Sequence, residues 1–143
     1  MATTQLAAKN KLKELLELAE DLSGIQISFG HPGKNIEDEC IVLGGIYGNS
    51  EVAAMGTRKR DEDYTINCAV SIVDQGDDQE WTTTRAYELY AVVEAVLQAF
   101  PTLDGLSGLI WALVTAPTNL REGLADGGRV SDLSFGIQCK ARI

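Results

Sequence analysis

Near the start of the chain, apolar residues recur at spacings of three and four: Leu6, Leu12, Leu15, Leu16, Ala19 and Leu22. That period predicts an amphipathic helix, closed at Ser23-Gly24, where glycine suits a left-handed cap. Its charges oppose the helix dipole, with Lys9, Lys11 and Lys13 early and Glu17, Glu20 and Asp21 late. Such a helix needs packing against a sheet or a neighbouring subunit to hold. The period then changes to two. Ile25, Ile27 and Phe29 share one face of a short strand, Gly30-His31-Pro32-Gly33 reads as a turn, and Cys40 to Tyr47 reads as a strand apolar on both faces. Residues Gly48 to Asp63 read as a polar loop, followed by clean alternation from Tyr64 to Val73.

A second polar loop covers Asp74 to Glu80. The main helix is expected from Trp81 to Phe100, with Ala86, Leu89, Val93, Val96, Leu97 and Phe100 as its buried stripe. One of Thr82, Thr83 and Thr84 is expected to supply the N-cap oxygen, and Pro101 ends the helix. The last third reads as a long hairpin. Gly108 to Thr115 pairs with Arg129 to Ile143, Trp111 lies in the core, Asp126-Gly127-Gly128 makes the turn, and Pro117 marks an edge or bulge. The expectation is therefore an α+β fold of order αβββαββ. It has a mainly antiparallel sheet, two helices on one face, a long C-terminal hairpin and a single domain over residues 1–143.

Charge sharpens the functional picture. The chain has 143 residues and a formal net charge of −9. An acidic surface disfavours nucleic-acid binding and anionic membranes, because phosphate contacts need clustered Lys and Arg. No signal-peptide stretch is read at the start and no run approaches a membrane span, so a cytosolic site of synthesis is expected. Cys40, Cys68 and Cys139 are too dispersed for a disulfide framework or a CxxC metal site and read as buried free thiols.

Candidate chemistry is sparse. His31 is the sole histidine, and it sits in a turn with no nucleophile motif beside it. The acidic clusters Asp61-Glu62-Asp63 and Asp74 to Glu80 do not follow the alternating calcium-loop pattern. Gly44, Gly45 and Gly48 form no phosphate-binding motif. No catalytic, cofactor or metal residues are assigned. The basic triplet Arg58-Lys59-Arg60 lacks interleaved aromatics and abuts three carboxylates, which favours an interface contact or a mobile loop tip over a nucleic-acid patch. Trp81 either caps the core edge or anchors a subunit contact.

Taken in order, these features resemble the tail terminator (tail completion) proteins of long-tailed bacteriophages. The resemblance rests on the first helix, the turn at Gly30-His31-Pro32 and the apolar strand Cys40 to Gly45. It continues through Tyr64 to Val73, the Gly76-Asp77 loop, Thr83 to Leu89 opening the long helix, Phe100 to Leu106 after it, and the closing hairpin. It covers nearly the whole chain as a pattern of order and spacing, without an active-site motif.

The resemblance implies a non-enzymatic virion protein. It would form a homohexameric ring at the head-proximal end of the tail tube and contact tube protein on one side and neck or head-completion protein on the other. DNA would pass through the lumen without being held, which an acidic protein favours. A ring needs two different patches on each subunit. The loop Gly48 to Asp63 and the tip Pro117 to Gly128 are the expected suppliers, with Arg58, Lys59, Arg60, Asp61, Trp81, Arg121, Glu122 and Asp126 as candidate contacts. A neck adaptor, a minor tail protein and a small non-virion binding domain are the alternatives.

Overall fold

The computed structural model describes residues 3–54, 59–125 and 128–143. Helix α1 spans Gln5–Leu18 and a 3-10 turn follows at Glu20–Leu22. Strand β1 (Gln26–Phe29) leads through a second 3-10 turn, Gly33–Asn35, into β2 (Glu39–Ala54) and β3 (Lys59–Asp74). Helix α2 (Gln79–Ala99) precedes β4 (Leu109–Val114), β5 (Asn119–Ala125) and β6 (Gly128–Arg142). The strands form one sheet of order β1-β2-β3-β6-β4, and β5 also pairs with β6.

The expected order αβββαββ holds, and the expected tip of the last hairpin carries a strand of its own. β4 takes residues 137–141 of β6 and β5 takes residues 128–134, so two short strands share one edge of a long one. β5 and β6 pair up to Ala125↔Gly128, around the turn expected there; Asp126 and Gly127 lie outside the described residues. All strand pairs are antiparallel except β1 with β2, which runs parallel. The nine-residue connection of residues 30–38 returns the chain to the starting end of β1.

Alternation explains the core. Tyr64, Ile66, Cys68, Val70 and Ile72 of β3 are buried, as are Leu133, Phe135, Ile137, Cys139 and Ala141 of β6. They meet Ala8, Leu12, Leu15 and Leu16 of α1 and Ala86, Leu89, Val93 and Leu97 of α2 in one hydrophobic cluster. Both helices cover this face of the sheet, and the opposite face is open. The stripes are narrower than expected. Leu6 is exposed, Val96 is only partly buried, and Phe100 lies outside the cluster, because each falls beside the helical face that meets the sheet.

Three local expectations are corrected. Residues Gly48 to Asp63 are mostly strand: β2 and β3 continue as a ladder through Asn49↔Asp63, Glu51↔Asp61 and Val52↔Arg60. A polar sequence can hold such a ladder because the backbone bonds of an antiparallel pair do not require both faces of the sheet to be covered. The N-cap of α2 is Asp78, whose carboxylate accepts the Trp81 N–H at 3.0 Å; Thr82 is instead buried, its hydroxyl 2.9 Å from that of Ser131. Trp111 is half-buried, not core, because a register shift between Leu109 and Trp111 interrupts alternation in β4.

Candidate assembly surfaces

The β2–β3 hairpin is anchored near its turn end by an unusual helix start. Thr4 at the N-cap of α1 makes no side-chain cap bond within the helix. Glu62, from the helix-facing side of β3, takes that role. Its carboxylate accepts the Thr4 N–H at 3.0 Å and the Thr4 hydroxyl at 2.9 Å, and also the Thr3 hydroxyl. The Tyr64 hydroxyl lies 2.8 Å from that of Thr4. Burial pushes the Glu62 carboxyl up, but these donors and the charge of Arg60 outweigh it and hold the group below the usual carboxylate range. A negative charge at a helix N-terminus also complements its dipole. Lys9, early in the same helix, packs its ammonium 3.8 Å from the Phe29 ring centroid.

The sequence-predicted contact residues fall at two ends of the sheet. Lys59, Arg60 and Asp61 open β3, next to the end of β6. Asp61 accepts two bonds from Arg142, at 2.7 and 3.1 Å, and this guanidinium holds its carboxyl below the ordinary value. Asp61 therefore already has a partner within its own chain. Arg60 is joined to Ile143 by two backbone bonds, and Lys59 is exposed.

The opposite end carries Trp81, Arg121 and Glu122. Glu122 accepts the Thr83 hydroxyl at 2.5 Å, tying β5 to the first turns of α2, and Arg121 is exposed on the same strand. Trp81 is 48% exposed and lines a cleft of about 510 Å³ with Arg85 and Glu39, which pair at 2.5 Å. Arg58 and Asp126 lie outside the described residues.

The residues screened for chemistry sit in ordinary settings. The His31 Nδ1 accepts the Gly33 N–H at 2.9 Å, a local turn bond. Burial pushes the Cys40 thiol up to about 11 and those of Cys68 and Cys139 up to about 12. Among the described residues, no three His, Cys, Asp or Glu side chains converge as a metal site, and no helix is long and apolar enough to cross a membrane. A groove of about 480 Å³ on the open face of the sheet is lined by neutral groups, among them Asn67, Thr118, Asn119 and Ser134.

Sequence reasoning aimed at charge and missed the exposed apolar side chains. Leu18 is 72% exposed, Tyr47 71% and Leu113 53%. Leu18 and Phe100 border a groove of about 430 Å³ between α1 and α2. A usable signal was present: Leu18 is two residues from Leu16, a spacing that does not share one helix face.

No protein-family profile matches the chain, and no curated protein matches it in sequence. Its fold does match solved structures. A chain of the "Virion of native gene transfer agent (GTA) particle" aligns over 94% of this chain and 94% of its own, with a TM-score of 0.54 at 9% identity. At that identity the likeness is one of fold: this chain shares an α+β architecture with a component of a virion-like particle.

Proposed function

We propose that this protein is a structural subunit of a phage-type virion, and that it works as a ring at the head-proximal end of the tail tube. The fold likeness to a chain of a gene transfer agent particle, end to end on both chains, is the observation that carries this reading. The distribution of candidate contacts supports it. They lie at opposite ends of one sheet, and a ring joins unlike patches head to tail. The role asks for no catalysis and no cofactor. A net charge of −9 suits a ring that passes DNA without retaining it.

The same fold likeness also fits a neck adaptor or a minor tail protein. The surface on which the ring stacks separates them: tail tube for a terminator, portal side for an adaptor. The test is the molar mass of the purified protein by light scattering, alone and mixed with tail tubes that lack their terminator. A ring in solution, or one formed only at tube ends, is the expected result. A monomer indifferent to tubes contradicts the reading, and a ring that binds only the neck side moves it to the adaptor.

A further inference from the structure

We propose that the outer edge of β2 beyond Leu43 receives the C-terminal segment of a different protein as an added antiparallel strand, whose terminal carboxylate seats on the ammonium of Lys9.

The sheet leaves this edge open. β1 covers only residues 40–43 of β2, and it stops where Gly30 donates its N–H to the Leu43 carbonyl at 2.7 Å. From Ile46 to Ala54, β2 has β3 on one side and no strand on the other. Proline and lysine, the usual guards of an edge, are absent from this stretch, and Glu51 is its one charge.

The direction of the free groups follows from the ladder. The Val73 N–H bonds to the Asp38 carbonyl, so ahead of the bulge the even residues of β2 turn toward β3 and the odd ones toward β1. The Gly30–Leu43 bond agrees. The bulge between Leu43 and Ile46 reverses that phase, because three steps along β2 match two along β3, from Cys68 to Ile66. Beyond it, Tyr47, Asn49 and Glu51 turn toward β3, and Ile46, Gly48, Ser50 and Val52 aim their N–H and C=O groups outward.

An unmatched charge lies at the start of that edge. Among the described residues two charged side chains are buried, Glu62 and Lys9, the latter 8% exposed. Glu62 receives donors from Thr3 and Thr4. Lys9 has only the ring of Phe29, the last residue of β1. A ring face offsets only part of what an ammonium loses on leaving water. Every wholly buried polar side-chain atom among the described residues has a partner, so this ammonium opens to solvent. In a chain with 21 acidic residues and 12 basic ones, a buried lysine without a carboxylate points to an anion from outside.

Both features call for one ligand. A strand laid along β2 from Ala54 toward Ile46 runs antiparallel to it and is stopped by Gly30. Lys9 stands at that stop, where a chain end brings a carboxylate; a strand laid the other way would bring an ammonium. A Cβ on Gly45 would meet nothing within 4 Å, so the approach is open. Ile143 of a second copy does not qualify, since it is 9% exposed and held by two backbone bonds to Arg60. The partner is therefore another protein, and the contact does not depend on ring formation.

The probe is a library of random hexapeptides displayed with free C-termini and selected on the full-length protein. A selected peptide, labelled at its N-terminus, is then measured by fluorescence anisotropy as the free acid and as the C-terminal amide. The acid should bind about tenfold tighter. Lys9→Met, which keeps the apolar stem, should remove that difference. Ser50→Pro, which removes one outward N–H and no ladder bond, should weaken both forms. Bound peptide should slow hydrogen exchange at the amides of Ile46, Gly48, Ser50 and Val52.

Failure to enrich any peptide, equal affinity of acid and amide, or protection confined to other amides overturns the proposal. The acid–amide comparison uses the native protein, so it decides even where a variant unfolds. A failure here leaves the ring on tail tubes untouched, and a monomer that still prefers the acid peptide keeps this contact while the ring reading falls.

Discussion

Replacing Glu62 tests how the β2–β3 hairpin is fixed to the body. Glu62 is 3% exposed, and its carboxylate receives three donors from Thr3 and Thr4, just before α1, and substitutes for a cap that the helix lacks. Glu62→Ala removes an N-cap, worth about 1 kcal/mol. It also leaves buried donors of Thr4 without their acceptor, at about 1–3 kcal/mol. The sum, about 2–4 kcal/mol, corresponds to a drop of roughly 10 °C in Tm for a chain of this size. Glu62→Gln keeps an acceptor oxygen but loses the charge, and should cost about 1–2 kcal/mol.

The pH dependence has a defined direction. The folded carboxyl lies below its ordinary value, so its stabilisation is complete above the unfolded carboxyl's pKa of about 4.3. It fades as pH falls through the lower folded value. Urea unfolding of wild type and Glu62→Gln between neutral and acid pH reads this as a difference, which cancels the other carboxylates. The stability gap should be constant near neutrality and close on acidification. A gap under about 0.5 kcal/mol at pH 7, within the range of ordinary surface substitutions, or one that widens in acid, would refute the reasoning.

Three further outcomes follow from the geometry. Gly128→Ala should lose at least ~2–3 kcal/mol, read by thermal melting, because Gly128 has φ +122° and a Cβ there would lie 2.1 Å from the Asp74 carbonyl oxygen. Asp78→Ala should lose about 1 kcal/mol in the same assay through the missing N-cap of α2. Cys40, Cys68 and Cys139, buried and with thiols pushed up to about 11–12, should resist a thiol reagent at pH 8 until the protein is denatured; rapid labelling of the native protein would contradict their placement.

The elements with a strong period are legible in the sequence. The alternation of Tyr64 to Ile72 and of Leu133 to Ala141 marks the two central strands, and the spacing of Leu12, Leu16, Leu89 and Val93 marks the helical faces that cover them. What the sequence hides depends on partners distant along the chain. Residues 48–54 carry no alternating apolar signal, yet the ladder with β3 makes them strand. Asn119–Ala125 is short and polar, and is strand because β6 is long enough to hold two neighbours on one edge. Glu62 reads as part of a surface acidic run, and only tertiary contact turns it into the cap of a helix some sixty residues earlier.

The candidate contacts divide in the same way. Lys59, Trp81 and Arg121 lie at the surface, while Asp61 is already held by Arg142 and Glu122 by Thr83. Tyr47 gives no sequence signal because its exposure depends on a bulge, which shifts phase without altering composition.

The most direct measurement is electron microscopy of terminator-free tail tubes incubated with the purified protein. The proposed role requires a closed ring of identical subunits seated on one end of each tube, with an open central channel. Bare tube ends, with the protein dispersed as single copies in the background, would contradict it.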